Sequence, residues 1–181
     1  ALLIENEIVK NIEFWDVQYS ADSDDLGEKY YTEGLRERMI EAIRQRLIAD
    51  VPIGFYISGG LDSSIVASYI HHYIPGKYYS FSAEFPSEEY TEKIYQEIVQ
   101  KSAQTMHKSV IIREEDLWEQ MKNVLYYTET PLKETYDVAA YMLSGLVQKS
   151  PAKAILTGQG ADEFFNGYIG YKFDFIRERK K

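Results

Sequence analysis

The chain has no cysteine among its 181 residues, which excludes disulfides, thiolate metal sites and a cysteine nucleophile. Histidine is scarce: His71, His72 and His107 are the three. None has acidic residues at metal-ligand spacing, and Ser63 and Ser64 have no base close by in sequence. The histidines therefore read as surface or packing residues, and no Ser/His/Asp constellation is visible. No apolar run approaches the roughly 20 residues that span a bilayer, and no basic segment leads into an apolar one at the amino end. On this reading the protein has no membrane partner, and the cytoplasm is its default compartment. Basic residues are outnumbered, 20 against 29 acidic, and the net charge of −9 argues against nucleic acid as a partner. The basic cluster at 177–181 is a small exception, read as a frayed helix end. Two phosphate-binding signatures are also missing: no GxxxxGK[ST] and no GxGxxG occurs.

What stands out instead is VPIGFYISGGLDSS, from Val51 to Ser64. Ile53, Phe55, Tyr56 and Ile57 make a short apolar run rich in β-formers, bounded by Pro52 and by Ser58-Gly59-Gly60. Ile65, Val66, Ala67, Tyr69 and Ile70 then supply a helix-like apolar face. A Gly-Gly pair with small hydroxyl neighbours between strand and helix leaves backbone amides pointing outward at a helix N-terminus. Such a turn holds phosphate, through free N–H donors and the helix dipole. Asp62 sits inside this nest. A carboxylate beside a polyphosphate repels it unless a cation intervenes, so Asp62 implies Mg²⁺.

TGQGADEFFNGY, from Thr157 to Tyr168, repeats the logic. Two glycines follow an apolar run, and Asp162 and Glu163 open a helix. Two such loops on one sheet edge can grip opposite sides of a nucleotide, with Asp62 and Asp162 as co-ligands of Mg²⁺. Acidic residues in a first turn also simply favour the helix dipole, so the pairing of the two loops carries the reading.

Along the chain, the first 31 residues read as a lead-in with one or two short strands and an acidic linker at 21–25. A helix is predicted from Thr32 to Ala49, with Leu35, Met39, Ile40, Ile43 and Leu47 on one face. Strands follow at 53–57, 78–83, 109–112 and 154–157, alternating with helices around Ile65–Ile70, Ile94–Val99, Leu117–Leu125 and Val138–Val147, the last ended by Ser150-Pro151. Trp15 and Trp118 lie among apolar neighbours and are expected in the core; the sixteen tyrosines carry no stacking motif. The alternation predicts an α/β fold, a parallel twisted sheet flanked by helices, with ligands beyond the carboxyl ends of the strands. Both glycine loops fall on that edge.

SGGLDSS resembles the pyrophosphate-binding loop of the N-type ATP pyrophosphatases. With the preceding DVPIG, and with GQGADEFFNGY downstream, the chain resembles the synthetase domain of the asparagine synthetase family from about Phe14 to Tyr168. FWDV resembles the end of that family's glutaminase region or its linker, and ETPLKE (Glu129–Glu134) an acidic-Pro-acidic segment. The resemblance implies a three-layer adenine nucleotide alpha hydrolase-like sandwich over 32–181, and ATP and Mg²⁺ as cofactors. It further implies that Ile57, Ala83, Thr157 and Gly158 contact adenosine or the α-phosphate, and that Ser58, Gly59, Gly60, Leu61, Asp62, Ser63 and Ser64 hold pyrophosphate, directly or through Mg²⁺. Asp62, Asp162 and Gln159 are then the candidate catalytic residues. The implied reaction activates a carboxylate, aspartate by default, as an acyl-adenylate that ammonia or glutamine-derived ammonia converts to an amide. A glutaminase domain or subunit is an implied partner, and an oligomer is left open.

Three departures from the family pattern matter. Gln159 stands where the family has Glu; a neutral amide neither accepts a proton nor stabilises ammonium well. Asn166 replaces the first glycine of Gly-Gly-Tyr, a mild change because Asn tolerates left-handed backbone. The family's domain continues beyond this point and contributes a lysine that Lys172 does not match. The chain is therefore expected to be a piece of a larger polypeptide. A ring-closing relative, such as a β-lactam synthetase or lasso-peptide cyclase, and a non-catalytic ATP-binding module are the rival readings.

Overall fold

The computed structural model describes residues 1–17, 24–87, 91–132 and 134–178. Residues 21–23 of the acidic linker, Lys133 of ETPLKE and the basic end at 179–181 lie outside the described residues. The chain divides into two units, Ala1–Arg36 and Glu37–Lys181.

The first unit opens with the expected strands, β1 (Leu2–Glu5) and β2 (Ile8–Asn11), paired antiparallel from Leu2↔Asn11 to Glu5↔Ile8. Asn6 and Glu7 take φ of 48° and 65°, the left-handed pair that a two-residue hairpin turn needs to match the strand twist. Trp15, expected in the core, is 68% exposed.

The second unit begins within helix α1 (Glu28–Arg46). It continues through β3 (Ile53–Tyr56), α2 (Leu61–Tyr73), β4 (Tyr79–Glu84), α3 (Lys93–Ala103), β5 (Met106–Ile111), α4 (Glu114–Thr128), α5 (Tyr136–Gln148), β6 (Ala154–Leu156), α6 (Ala161–Phe165) and α7 (Ile169–Glu178). The four strands form one parallel sheet in the order β5-β4-β3-β6. The chain runs from β3 outward through β4 to β5, then returns past its start to lay β6 on the other side of β3. The crossover helices divide accordingly. Phe55 and Ile57 pack with Val66, Ala67, Ile70 and Ala103, and with Ile43 of α1, on one face. Tyr56, Phe81 and Ile155 pack with Leu143, Leu146 and Val147 of α5 on the other. Helices on both faces of a parallel sheet are what right-handed crossovers produce when the strand order reverses. The expected fold class is the observed one, three layers with a parallel sheet between helices. None of the described helices is long and apolar enough to cross a membrane.

Burial corrects several details. Of the predicted α1 stripe, Ile43 is buried and Leu47 packs against it, whereas Leu35 is 43% exposed. Trp118 is 70% exposed, not core: it lies about one residue's rotation from the inward line of α4, on which Val124 is buried. In α3 the apolar residues that marked the helix, Ile94, Tyr95 and Ile98, face outward, and the buried positions are Gln96 and Ala103. β5 starts at Met106, three residues before the predicted strand, because pairing with β4 runs from Tyr79↔Met106 to Glu84↔Ile111. Backbone pairing here overrides a side-chain pattern with little alternation. Ser150 ends α5 as expected: its hydroxyl donates to the Val147 carbonyl at 2.7 Å and accepts from the Ala152 amide at 3.1 Å.

The early start of β5 brings His107 into a polar layer. Ser80 and Ser82 are buried on the sheet face opposite Phe81. Ser80 Oγ lies 2.8 Å from His107 Nδ1 and Ser82 Oγ 3.1 Å from Nε2, while Ser80 also shares a 2.6 Å bond with Thr105 Oγ1. A neutral ring donates from one nitrogen and accepts at the other, so both hydroxyls suit it. Burial pushes the His107 pKa below its ordinary value, opposed by the Glu84 carboxylate. The Ser109 hydrogen bond, with help from Lys93, holds Glu84 below the usual carboxylate range against its own burial.

These shifts act in separate pH windows. Above the ordinary histidine pKa the imidazole is neutral in both folded and unfolded chains. As pH falls below it, the unfolded chain binds the proton first, and stability drops until the folded ring also protonates. Glu84 contributes stability that is lost only lower, as pH falls through its depressed value. Denaturant melts from about pH 7.5 to about pH 5 should therefore show a downward slope in the wild type that is shallower in His107→Gln. Identical slopes would show that His107 titrates as freely folded as unfolded.

Candidate active site at the strand-order reversal

The loop after β3 and the loop after β6 are neighbours because their strands are. Register runs Ile53↔Ala154, Gly54↔Ile155 and Phe55↔Leu156. Both segments leave the sheet at its carboxyl edge, where the strand order reverses and a crevice opens between diverging crossovers.

The first loop is tied by its own hydroxyls. Ser58 and Ser63 share a 2.9 Å bond between their Oγ atoms, Ser63 Oγ accepts from the Ser58 amide at 3.3 Å, and Ser58 Oγ accepts from the Gly60 amide at 3.1 Å. Ser63 and Ser64 both donate to the Gly60 carbonyl, at 3.2 and 2.6 Å. Gly60 is the N-cap of α2 and provides no side-chain cap for its first turn. An anion at this helix end meets amide donors and the positive end of the helix dipole. Gly59 has φ of 88°, and a Cβ there would lie 2.8 Å from Tyr95 Cβ and 3.2 Å from the Gln96 amide nitrogen. The turn thus needs glycine for conformation and for space.

The second loop lies against the first. A Cβ on Gly158 would stand 3.1 Å from Asp62 Cβ and 3.3 Å from the Ser63 nitrogen. Its backbone therefore passes directly over the first turn of α2. Thr157 and Gln159 are exposed, and the Gln159 backbone N–H donates to Thr157 Oγ1 at 3.4 Å. Asp162, in the first turn of α6, is half-buried, and its carboxylate lies against the Gly167 Cα, where a Cβ would collide with Oδ1. Asn166 takes φ of 57°, the left-handed backbone that the mild Gly-to-Asn departure requires. Tyr168 donates to Glu163 Oε1 at 2.9 Å, which raises the Tyr168 pKa.

The structure thus brings Ser58, Gly59, Gly60, Asp62, Ser63, Ser64 and Gly158 together, with Leu61 75% exposed beside them. Ile57 is 1% exposed and its side chain is in the core, so it offers the site only its backbone, whose amide already donates to the Phe81 carbonyl. Ala83 is the penultimate residue of β4, next to β3 at the same edge. Lys172 is exposed on α7. Sequence reasoning missed Gln96, a buried amide under the first loop, because a polar residue among outward apolar ones looks like surface.

Among the described residues no group of three or more His, Cys, Asp or Glu could hold a metal by itself. The carboxylates at the two loops, Asp62 in the first turn of α2 and Asp162 in the first turn of α6, are oxygen donors of the kind Mg²⁺ takes.

Residues 34–181 match the family model for asparagine synthase. The chain belongs to the asparagine synthase family. Two curated relatives show the range. Amidase chry2 of Gibberella zeae is 30% identical over 96% of this chain and 28% of its own length. The nodule asparagine synthetase of Pisum sativum is 32% identical over 75% of this chain and 25% of its own. The chain thus spans less than a third of the length of these relatives. Among solved structures, a glutamine-dependent NAD+ synthetase from Acinetobacter baumannii, in complex with adenosine diphosphate, overlays 92% of this chain and 31% of its own, with a TM-score of 0.54 at 15% identity. This likeness concerns the fold alone.

The two glycines of the first loop part in their expected behaviour. Gly59→Ala combines positive φ with a collision and should cost about 1–3 kcal/mol. Gly60, with φ of −70° and only Ser58 Oγ within 3.2 Å of an added Cβ, should tolerate alanine at under about 1 kcal/mol. Urea melts of the two variants decide this, and equal costs would contradict the loop geometry.

Proposed function

We propose that this chain carries the nucleotide site of an ATP-dependent amide ligase, which activates a carboxylate at the α-phosphate of ATP with release of pyrophosphate. The observation that carries the reading is the seating of Gly158 on the first turn of α2: it puts both glycine loops around one uncapped helix N-terminus. Amides of the serine-tied loop and of the first turn of α2 hold pyrophosphate oxygens, and the backbones of Ile57, Ala83, Thr157 and Gly158 receive the adenosine side. Asp62 and Asp162 hold Mg²⁺, which when bound neutralises charge spread along the triphosphate. Charge neutralisation with prepositioned donors suffices for this step without a protein acid or base. The nitrogen donor then displaces AMP. Gln159 lies beside that second step and, being neutral, leaves the proton to another acceptor. Aspartate with ammonia, supplied by a glutaminase partner, is the substrate pair that family membership favours. The lead-in at 1–31 precedes the synthetase domain at 32–181.

A second reading replaces aspartate with another carboxylate, including one that closes a ring. Gln159 in place of the family's Glu favours it.

ATP–pyrophosphate exchange in Mg²⁺, with and without L-aspartate, tests the proposal. Exchange should appear with the right carboxylate and fall by at least about 100-fold in Asp62→Ala. Exchange that survives Asp62→Ala would remove the aspartate from the site. Exchange that ignores L-aspartate but responds to other carboxylates would select the second reading.

A further inference from the structure

Gln96 belongs to α3 and is 5% exposed. Its Nε2 donates to the Ala83 carbonyl at 3.0 Å and to the Ser58 carbonyl at 3.4 Å. Two carbonyl acceptors fix which way the amide faces, since only its NH₂ end can serve them. The acceptors sit at the carboxyl ends of two adjacent strands. Ser58 opens the first glycine loop, and Ala83 lies where β4 reaches the same edge.

The rest of this helix end presses on the same place. The space behind Gly59 is filled by Tyr95 Cβ, the Gln96 nitrogen and the Glu92 carbonyl. Lys93 pairs with Glu84, the last residue of β4, at 3.0 Å. Ile94, Tyr95 and Ile98 are 71%, 62% and 59% exposed, so the amino-terminal half of α3 is not seated by an apolar face. It is seated by polar contacts to strand ends. A buried amide is costly unless bonded, and here Nε2 serves the backbone at the start of the loop and at the end of β4.

We propose that Gln96 is a positioning residue for the nucleotide loop. By holding the Ser58 and Ala83 carbonyls to one helix it fixes the separation of the β3 and β4 ends and pre-orders the Ser58–Gly60 turn. It acts through those carbonyls and touches no substrate. The proposal rests on the reading of the loop as a nucleotide site.

Two variants test it. Gln96→Met keeps the length and removes the donors. Gln96→Glu keeps the shape and, when ionised, has no donor; when protonated it can donate once, and burial raises its pKa toward the working range. Amide hydrogen exchange over residues 57–64, measured without nucleotide, should quicken in Gln96→Met while α5 keeps its protection. ATP binding in Mg²⁺, measured by calorimetry, should weaken by about tenfold in the same variant. In Gln96→Glu the ATP affinity should gain a pH dependence that neither the wild type nor Gln96→Met shows, improving as pH falls. A residue that merely stabilises the fold would lower the melting temperature in both variants without that new titration. Unchanged loop exchange in Gln96→Met, or a Gln96→Glu affinity with the wild-type pH profile, overturns the proposal. If the wild type binds no ATP while loop exchange quickens in the variant, the nucleotide reading falls and the ordering role stands.

Discussion

The pairing of β3 with β6 is the interaction on which the site depends. These strands are about a hundred residues apart in the chain, yet they bond in parallel register from Ile53↔Ala154 to Phe55↔Leu156. Parallel pairing sends both out of the sheet in the same direction, and the chain reverses strand order between them. Each strand turns through glycines into a helix, so two helix N-termini lie at one edge of the sheet. Without that register the loops would be separate turns. With it, Gly158 lies within van der Waals reach of Asp62.

The sheet is held from its two faces by different chemistry. On the α5 side, Phe81 is fully buried among aliphatic and tyrosine neighbours. On the other face, β3 and α2 give an apolar core, but the layer at β4 and β5 is polar, with Ser80, Ser82, His107 and Thr105 bonded in a chain. Directional bonds set distances more sharply than apolar contacts do, and they leave polar groups sensitive to every partner. That layer leads toward the edge at which Lys93 and Gln96 clasp the end of β4 through Glu84 and Ala83. Precision at the loop and polarity beneath α3 therefore go together.

The element order was legible because its signals are local. β-branched and aromatic runs bounded by glycine marked β3, Ser150-Pro151 marked the end of α5, and the two glycine loops announced strand-to-helix turns. The candidate loops were legible for the same reason, down to the left-handed Asn166. Burial was less so. Trp15 and Trp118 looked like core from their neighbours, yet both are exposed. In α3 Ile94, Tyr95 and Ile98 point out while Gln96 points in beside the inward Val99 and Ala103, a split that periodicity cannot detect, since it reports which residues share a face and not which face is covered.

By itself, then, the sequence determined the alternation of strands and helices, the two glycine turns with their carboxylates, and the family, because these rest on backbone preferences and on contiguous residues. The tertiary structure decided what contiguity cannot encode. It laid β6 beside β3 and pressed Gly158 onto the first turn of α2. It drew β5 back to include His107, and it aimed Gln96 at the Ser58 and Ala83 carbonyls. Each is a contact between residues distant in the chain, chosen by which packing buries Phe55, Phe81 and Ile57 while giving every buried side-chain polar atom among the described residues a partner.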